Sequence, residues 1–450
     1  MSKANELIPS ARRLIGSLRD MGYEFAPAVA DLIDNSVEAG ATEVDVWIEF
    51  KGDESWVRIA DNGRGMSAKV LREAMRYGSE REYVDGDLGK FGLGMKTASM
   101  SQCRCLTVAS RPKGSSAFTA FRWDLDHISK ADKWEILPVV KNKLPRSIGG
   151  MLKKGFSTVV LWEQLDRILG YKHPYGEFQR KQLAQMSREV EDHLAMVFHR
   201  FLSGEARRRR IKISLNGNPV EPWDPFCRKE ERTRKLEGRS LPIEQDGVTG
   251  EVLFEPFVLP HQNRFSTSAA HDRASGPRKW NRQQGFYIYR ADRLIQSGGW
   301  SGLRVQDEHT KLARVGLSFN PKLDEAFKIN VAKMRVQLPA QLRGDLERLL
   351  APVIRAADSE YRNSGASANG GAGGSGSASR GSSPEPSRSA GGASTNASAS
   401  SNGSGANGHD VKTLFTVDEV LALSLAVSTA EEKPVVRSVF SKIERPRVVV

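Results

Sequence analysis

The residues best suited to chemistry lie between positions 31 and 97. In APAVADLIDNSVEAGA, residues 26–41, Asp31, Asp34, Asn35 and Glu38 fall at i, i+3, i+4 and i+7. One face of a predicted helix then carries three carboxylates and an amide. Pro27 suits its first turn and Gly40 its C-terminal cap. Ala30, Ile33 and Val37 make the apolar stripe behind. A charge run of this kind reads by itself as a solvated helix face. An amide and a carboxylate four residues apart also suit a shared divalent cation and water.

A second segment, SWVRIADNGRGMS (residues 55–67), puts Val57, Ile59 and Asp61 on one face of a strand. A carboxylate closing an apolar face is costly to bury without donors, and an adenine amino group is one such donor. Gly63 and Gly65 allow backbone to approach a ligand closely. Alone, the same residues read equally as a DNG hairpin turn. The third segment, GDLGKFGLGMKTASMS (residues 86–101), resembles a Walker P-loop at first sight. Gly89 and Gly94 have the right gap, but Met95 follows and Lys96 comes one place late, so the register fails. What remains is a glycine-rich loop entering a helix whose free N–H groups would receive phosphates. Residues 77–88, charged and glycine-bearing, read as a lid. Finally, Ser157 and Thr158 open the strand in KGFSTVVLWEQL, placing hydroxyls within reach of a phosphate.

Other elements must position these groups. Val44, Val46, Ile48 and Phe50 alternate, as on a half-buried strand beside 56–61. Residues 171–202 are predicted largely helical, followed by the strand ISLNG, strands near 249–259 and 285–296, and a helix over about 339–357. The pattern YIYRADRLI is strand, tight polar turn, strand. From Ser364 to His409 the chain is rich in Ser, Gly, Ala and Asn, which cannot bury enough apolar area to offset ordering entropy, so a tether is expected. In TVDEVLALSLAVSTAEE beyond it, Val417, Val420, Leu421 and Leu425 share a helical face behind a capping-box pair, Thr416 and Glu419. That short helix is expected to dock on a partner protein or on the body of the chain.

Helix with DNS, then DNGRGM, then GKFGLG, then ST-V-V-L is an order that resembles the GHKL superfamily of ATPases, which includes gyrase B, histidine kinases and MutL. The resemblance covers residues 20–165 and implies an α+β fold: a Bergerat-type two-layer α/β sandwich holding ATP with Mg²⁺. On that resemblance Asn35 would bind Mg²⁺, Asp61 would accept from the adenine amino group, and Gly63, Gly65 and Met66 would wall the base. Lys90, Gly92, Leu93, Gly94, Lys96 and Thr97 would hold phosphates, with Thr158 assisting. The residue four before the Asn is usually Glu in hydrolysing members; here it is Asp31, one methylene shorter, the candidate general base for slow turnover. The later strands, with FKINVAKMRVQLP (residues 327–339), resemble the S5-like transducer of MORC and MutL proteins, closest to MORC-like bacterial ATPases. By that likeness Lys333 would contact the γ-phosphate, with Lys328 close by, and two ATP-bound protomers would clamp together as a homodimer.

The implied layout is an ATP-binding domain over 1–168, connecting helices over 169–204, a transducer over 205–362, a linker over 363–409 and a docking tail over 410–450. A histidine-kinase reading is poorly supported, because no dimerisation helix with a phosphoacceptor histidine precedes residue 20. The totals agree with two or three domains in 450 residues. With 67 Lys+Arg against 54 Asp+Glu and a formal charge of +13, a polyanion such as DNA is a plausible partner. The plain alternative is a basic protein with no such partner. Arg207, Arg208, Arg209 and Arg210 are the candidate phosphate contacts, the alternative being a solvated loop or edge-strand guard. Three cysteines with no zinc or disulfide spacing predict a reduced, cytoplasmic setting. No secretory signal or membrane span is expected. The competing functional expectation is a non-hydrolysing, nucleotide-gated scaffold that recruits a partner through its tail.

Overall fold

The computed structural model describes residues 10–20, 23–77, 94–169, 175–207, 210–245, 247–329 and 336–366. Its first part is an α+β layer structure. Two helices, α1 (Ala11–Arg19) and α2 (Phe25–Glu38), precede strands β1 (Glu43–Glu49) and β2 (Trp56–Asp61). After α3 (Ala68–Met75) and α4 (Gly94–Met100) come β3 (Cys105–Ser110), β4 (Thr119–Asp124), α5 (Leu125–Ala131), β5 (Leu137–Pro138), α6 (Arg146–Lys153) and β6 (Thr158–Glu163). Alternation decides the faces. Val44, Val46 and Ile48 of β1, with Val57 and Ile59 of β2, turn to one side and bury against α2 and its neighbours. On the other side α6 covers Ala60, Ala109, Ala120 and Leu161 with Ile148, Met151 and Leu152.

The chain then runs through α7 (Glu177–Val197) and α8 (His199–Ser203). Here the structure corrects the expected division at 204/205. Strands β7 (Lys212–Leu215) and β8 (Asn218–Pro219) belong to the first sheet, because β7 lies parallel to β1, with Val44 opposite Ile213 and Val46 opposite Leu215. The described strands of that sheet run β5-β4-β3-β6-β2-β1-β7-β8. A parallel neighbour needs a long crossover, and α7 and α8 supply it. They lie on the same face as α2, sharing its core through Leu183, Val190, Leu194 and Phe198.

The second sheet gathers β9 (Arg234–Lys235), β10 (Arg239–Gln245), β11 (Val248–Val258), β12 (Gly285–Arg290), β13 (Arg293–Ser297) and β14 (Ala313–Phe319). Between β11 and β12 stand the short helices α9 (Ser268–Ala274) and α10 (Lys279–Gln283). The closing helix α11 (Ala340–Ala366) lays Leu342, Leu346, Leu350, Val353 and Ala357 on this sheet's core, a helical stripe along one side. It runs nine residues past the expected end at 357. The tight turn in YIYRADRLI is real: Ala291 and Asp292 both have positive φ (46° and 68°), the geometry that matches the twist of a two-residue hairpin. Among the described residues no helix is long and apolar enough to cross a membrane. All three cysteines are free. The first residues of the expected linker, 363–366, belong to α11; the rest of it and the expected tail helix lie outside the described residues.

Candidate nucleotide site

Register across the first sheet assembles a polar row at one end of its helix-facing side. Val44 lies opposite Asp61, Asp61 opposite Thr158, and Thr158 opposite Ser110. Asp61 closes β2 and is 7% exposed. The Gly63 N–H donates to its Oδ1 at 2.9 Å, and the Ser36 hydroxyl of α2 donates to Oδ2 at 3.4 Å. Burial dominates and pushes the carboxyl up to about 6, against the pull of these two donors and of Arg64. Thr158 Oγ1 stands 2.9 Å from Ser110 Oγ, and Ser110 accepts the Met66 N–H at 2.9 Å. Half-buried Met66 is thereby drawn to the same row.

The glycines of DNGRG serve the protein more directly than expected. A Cβ on Gly63 would lie 2.8 Å from the Ala39 Cβ, and one on Gly65 would lie 1.8 Å from the Arg111 carbonyl oxygen. Their bare faces admit the end of α2 and the segment just after β3. Gly65 also has φ +65°, where any side chain is strained. Gly65→Ala is therefore expected to lower stability by about 1–3 kcal/mol, read as a fall in thermal midpoint. Gly94→Ala is the control. Its Cβ would meet only Asp31 Oδ2, at 3.6 Å, so its midpoint should barely move.

That close approach puts the start of α4 against α2. Thr97 is 1% exposed, and its Oγ1 has no hydrogen-bond partner among the described residues. Lys96 behaves otherwise. Its ammonium is buried and donates to the carbonyls of Ala74, at 3.1 Å, and Arg76, at the end of α3. Burial pushes it down to about 8. In this conformation it caps α3. Lysine four-carbon stems reach a carbonyl-rich helix end as easily as a ligand, and sequence spacing does not distinguish the two.

The acidic stripe of α2 also divides. Asp31 and Asp34 are buried, Glu38 is half-buried, and Asn35 alone is exposed within a run buried from Pro27 to Val37. The Tyr23 hydroxyl donates to Asp31 Oδ2, and the Arg293 guanidinium lies 3.6 Å from Asp31 Oδ1. Burial, then the Asp31 charge, push the Tyr23 phenol far above its ordinary range, so it remains a donor. Arg293 Nε donates to Asp34 at 2.8 Å. An exposed amide one turn from a buried carboxylate suits a hydrated divalent cation shared with phosphates. No cluster of three or more His, Cys, Asp or Glu suited to a metal occurs among the described residues, so Mg²⁺ would depend on Asn35, phosphate oxygens and water.

The sequence profile of the Histidine kinase-, DNA gyrase B-, and HSP90-like ATPase family matches residues 23–149, the stretch that carries Asp31, Asn35, Asp61 and α4. Residues 23–149 are thus GHKL ATPase-like, within a sheet that continues to β8. DNA mismatch repair protein MutL from Azorhizobium caulinodans is 37% identical to this chain over 94 residues, 20% of the chain and 15% of the relative. MutL from Halobacterium salinarum is 36% identical over 110 residues, covering 23% and 16%. MutL from Edwardsiella ictaluri is 36% identical over 96 residues, covering 20% and 15%. The likeness thus spans only a small part of these relatives.

Lys90, Gly92 and Leu93 lie outside the described residues, as do Lys333, Arg208 and Arg209. Arg207 is exposed, its N–H held by Asp292 at 3.0 Å, and Arg210 Nε donates to the Leu202 carbonyl at 2.9 Å. Exposed Lys328 sits at positive φ, just before the segment that holds Lys333. Sequence reasoning missed four groups. Ser36, the third residue of DNS, was visible but had no partner assigned. Tyr23 and Ser110 carry no local signal. Arg293 lies 259 residues from the carboxylate that it grips.

Proposed function

We propose that this chain binds ATP with Mg²⁺ and hydrolyses it slowly, and that bound ATP gates the clamping of two copies on DNA. The observation that carries the reading is the buried Asp61 carboxylate, with its value raised, at the polar end of an apolar sheet. It would accept from the adenine amino group. Gly63, Gly65 and Met66 would frame the base, and Thr158 would act through Ser110. Gly94, Thr97 and the preceding Lys90, Gly92 and Leu93 would hold phosphates, while Lys96 would have to leave the end of α3 to join them. Asn35 would hold the magnesium, which supplies charge neutralisation to the phosphates when bound. Asp31 would take the proton of a water attacking the γ-phosphorus, giving ADP and phosphate, and Lys333 would contact that γ-phosphate.

Equilibrium binding of ATP with Mg²⁺ and with a chelator, followed by phosphate release at saturating ATP, tests this reading. Affinity without magnesium dependence would remove it. One observation favours the scaffold alternative: Tyr23 and Arg293 already engage both oxygens of Asp31, and the side chain is short. Tight binding with no phosphate release would select that alternative, with the tail recruiting a partner.

DNA is proposed from the formal charge of +13 and from the name of the relatives. Binding should weaken steeply with salt. Replacing Arg207–Arg210 by alanine should reduce the slope of log affinity against log salt by up to about 3.6, since each phosphate contact contributes about 0.9. A salt-independent signal, or none, would remove DNA from the account.

A further inference from the structure

Arg290, Asp292 and Arg293 make the β12–β13 hairpin a junction with three separate grips. Arg290 donates to both oxygens of Asp324, at 2.6 and 2.7 Å, inside its own domain. Asp292, in the turn, accepts from the Arg207 N–H, just after α8, and from the guanidinium of Arg200, within α8, at 3.3 Å. Arg293 reaches out of the second sheet into the GHKL domain, 3% exposed, against Asp34 and Asp31, each 1% exposed. A planar guanidinium shared by two carboxylates one turn apart fixes direction as well as charge, which lysine would not. Among the described residues, two neighbouring basic groups, His193 and Lys96, do not take its place. Burial, then the Arg293 charge, push His193 of α7 down to about 3, leaving it neutral. Lys96 is turned to the end of α3. Tyr23 donates but carries no charge.

We propose that Arg293 is the positioning residue through which the second sheet holds the acidic side of α2, so that nucleotide bound beside Asn35 is felt at the hairpin. This rests on the reading of α2 as the phosphate side of an ATP site. A desolvated ion cluster of this kind does not slide by degrees: moving α2 means moving the hairpin or breaking the grip. Through Arg290 and Asp324 the same movement reaches the segment that leads to residue 329. The second domain thereby acquires a differential contact with the nucleotide site, which any ligand-driven change requires.

The test is amide hydrogen exchange on the full chain, with and without a non-hydrolysable ATP analogue plus Mg²⁺. In wild type, peptides of α2 and of residues 285–297 should both slow on addition of nucleotide, the hairpin by about fivefold or more. In Arg293→Met the α2 response should persist and the hairpin response should vanish. Arg293→Lys should fall between them. Because Arg293→Met leaves two buried carboxylates behind, Arg293→Met/Asp34→Asn is the second variant. Its thermal midpoint should return toward wild type while the hairpin stays unresponsive. A hairpin that still responds in either methionine variant, or one silent in wild type while α2 responds, overturns the coupling alone. An α2 silent in wild type overturns the ATP-site reading and the coupling with it.

Discussion

The Asp61→Asn protein is expected to lose ATP affinity by about 10- to 100-fold and yet to unfold at a higher temperature than wild type at pH 8. The loss follows from removing a charged acceptor, since a hydrogen bond to an ionised group contributes about 1.5–3 kcal/mol. The gain follows from burial. The folded-state value of about 6 lies above the ordinary 3.8, so the folded chain holds a proton that the unfolded chain releases over that interval. Stability therefore rises as pH falls from 6 toward 4, and the cost of the buried charge is fully present above 6. Two units correspond to about 3 kcal/mol at most, an upper bound on what the neutral amide recovers. The advantage of Asp61→Asn should shrink toward pH 4, and wild-type affinity for ATP should decline below pH 6. The variant should also discriminate less against GTP, whose base presents an acceptor where adenine presents an amine. Titration of labelled nucleotides and thermal melts at pH 5 and 8 decide it. Unchanged ATP affinity in Asp61→Asn would end the adenine assignment.

Asp31→Ala should lower phosphate release by about 10²- to 10⁴-fold, the usual weight of a positioned general base, with ATP affinity nearly unchanged. The geometry supports separable effects. Asp31 is buried between Tyr23, Arg293 and the start of α4, whereas the proposed adenine contact is Asp61 at the end of β2. Asp31→Glu extends the carboxylate toward Gly94, whose approach leaves ordinary contact distance. Its turnover should at least equal that of wild type. Single-turnover and steady-state phosphate release, beside equilibrium binding, give the answer. Turnover that survives in Asp31→Ala would show that another group activates the water.

Much of this was legible in one dimension because the signals are local. Alternation in 43–50 and 56–61, the helical spacing of 26–38 and the glycine-rich entry to α4 each depend on neighbours within a few residues. The same locality allowed DNS and DNG to be read as one site by their order. It also misled. Asp31, Asp34 and Glu38 share a helical face on any wheel, but a wheel does not say what covers that face.

By itself the sequence determined that a carboxylate would end β2, that an amide and an acid would stand one turn apart on α2, and that a glycine would open α4. Those are consequences of backbone periodicity. Only the tertiary structure decided that Asp61, Thr158 and Ser110 form one row, that β7 joins the first sheet, that Lys96 turns to the end of α3, and that Arg293 crosses between the sheets to hold Asp34. Strand register and long-range charge pairing come from whole-core packing and the desolvation of distant partners, and no spacing along the chain encodes either.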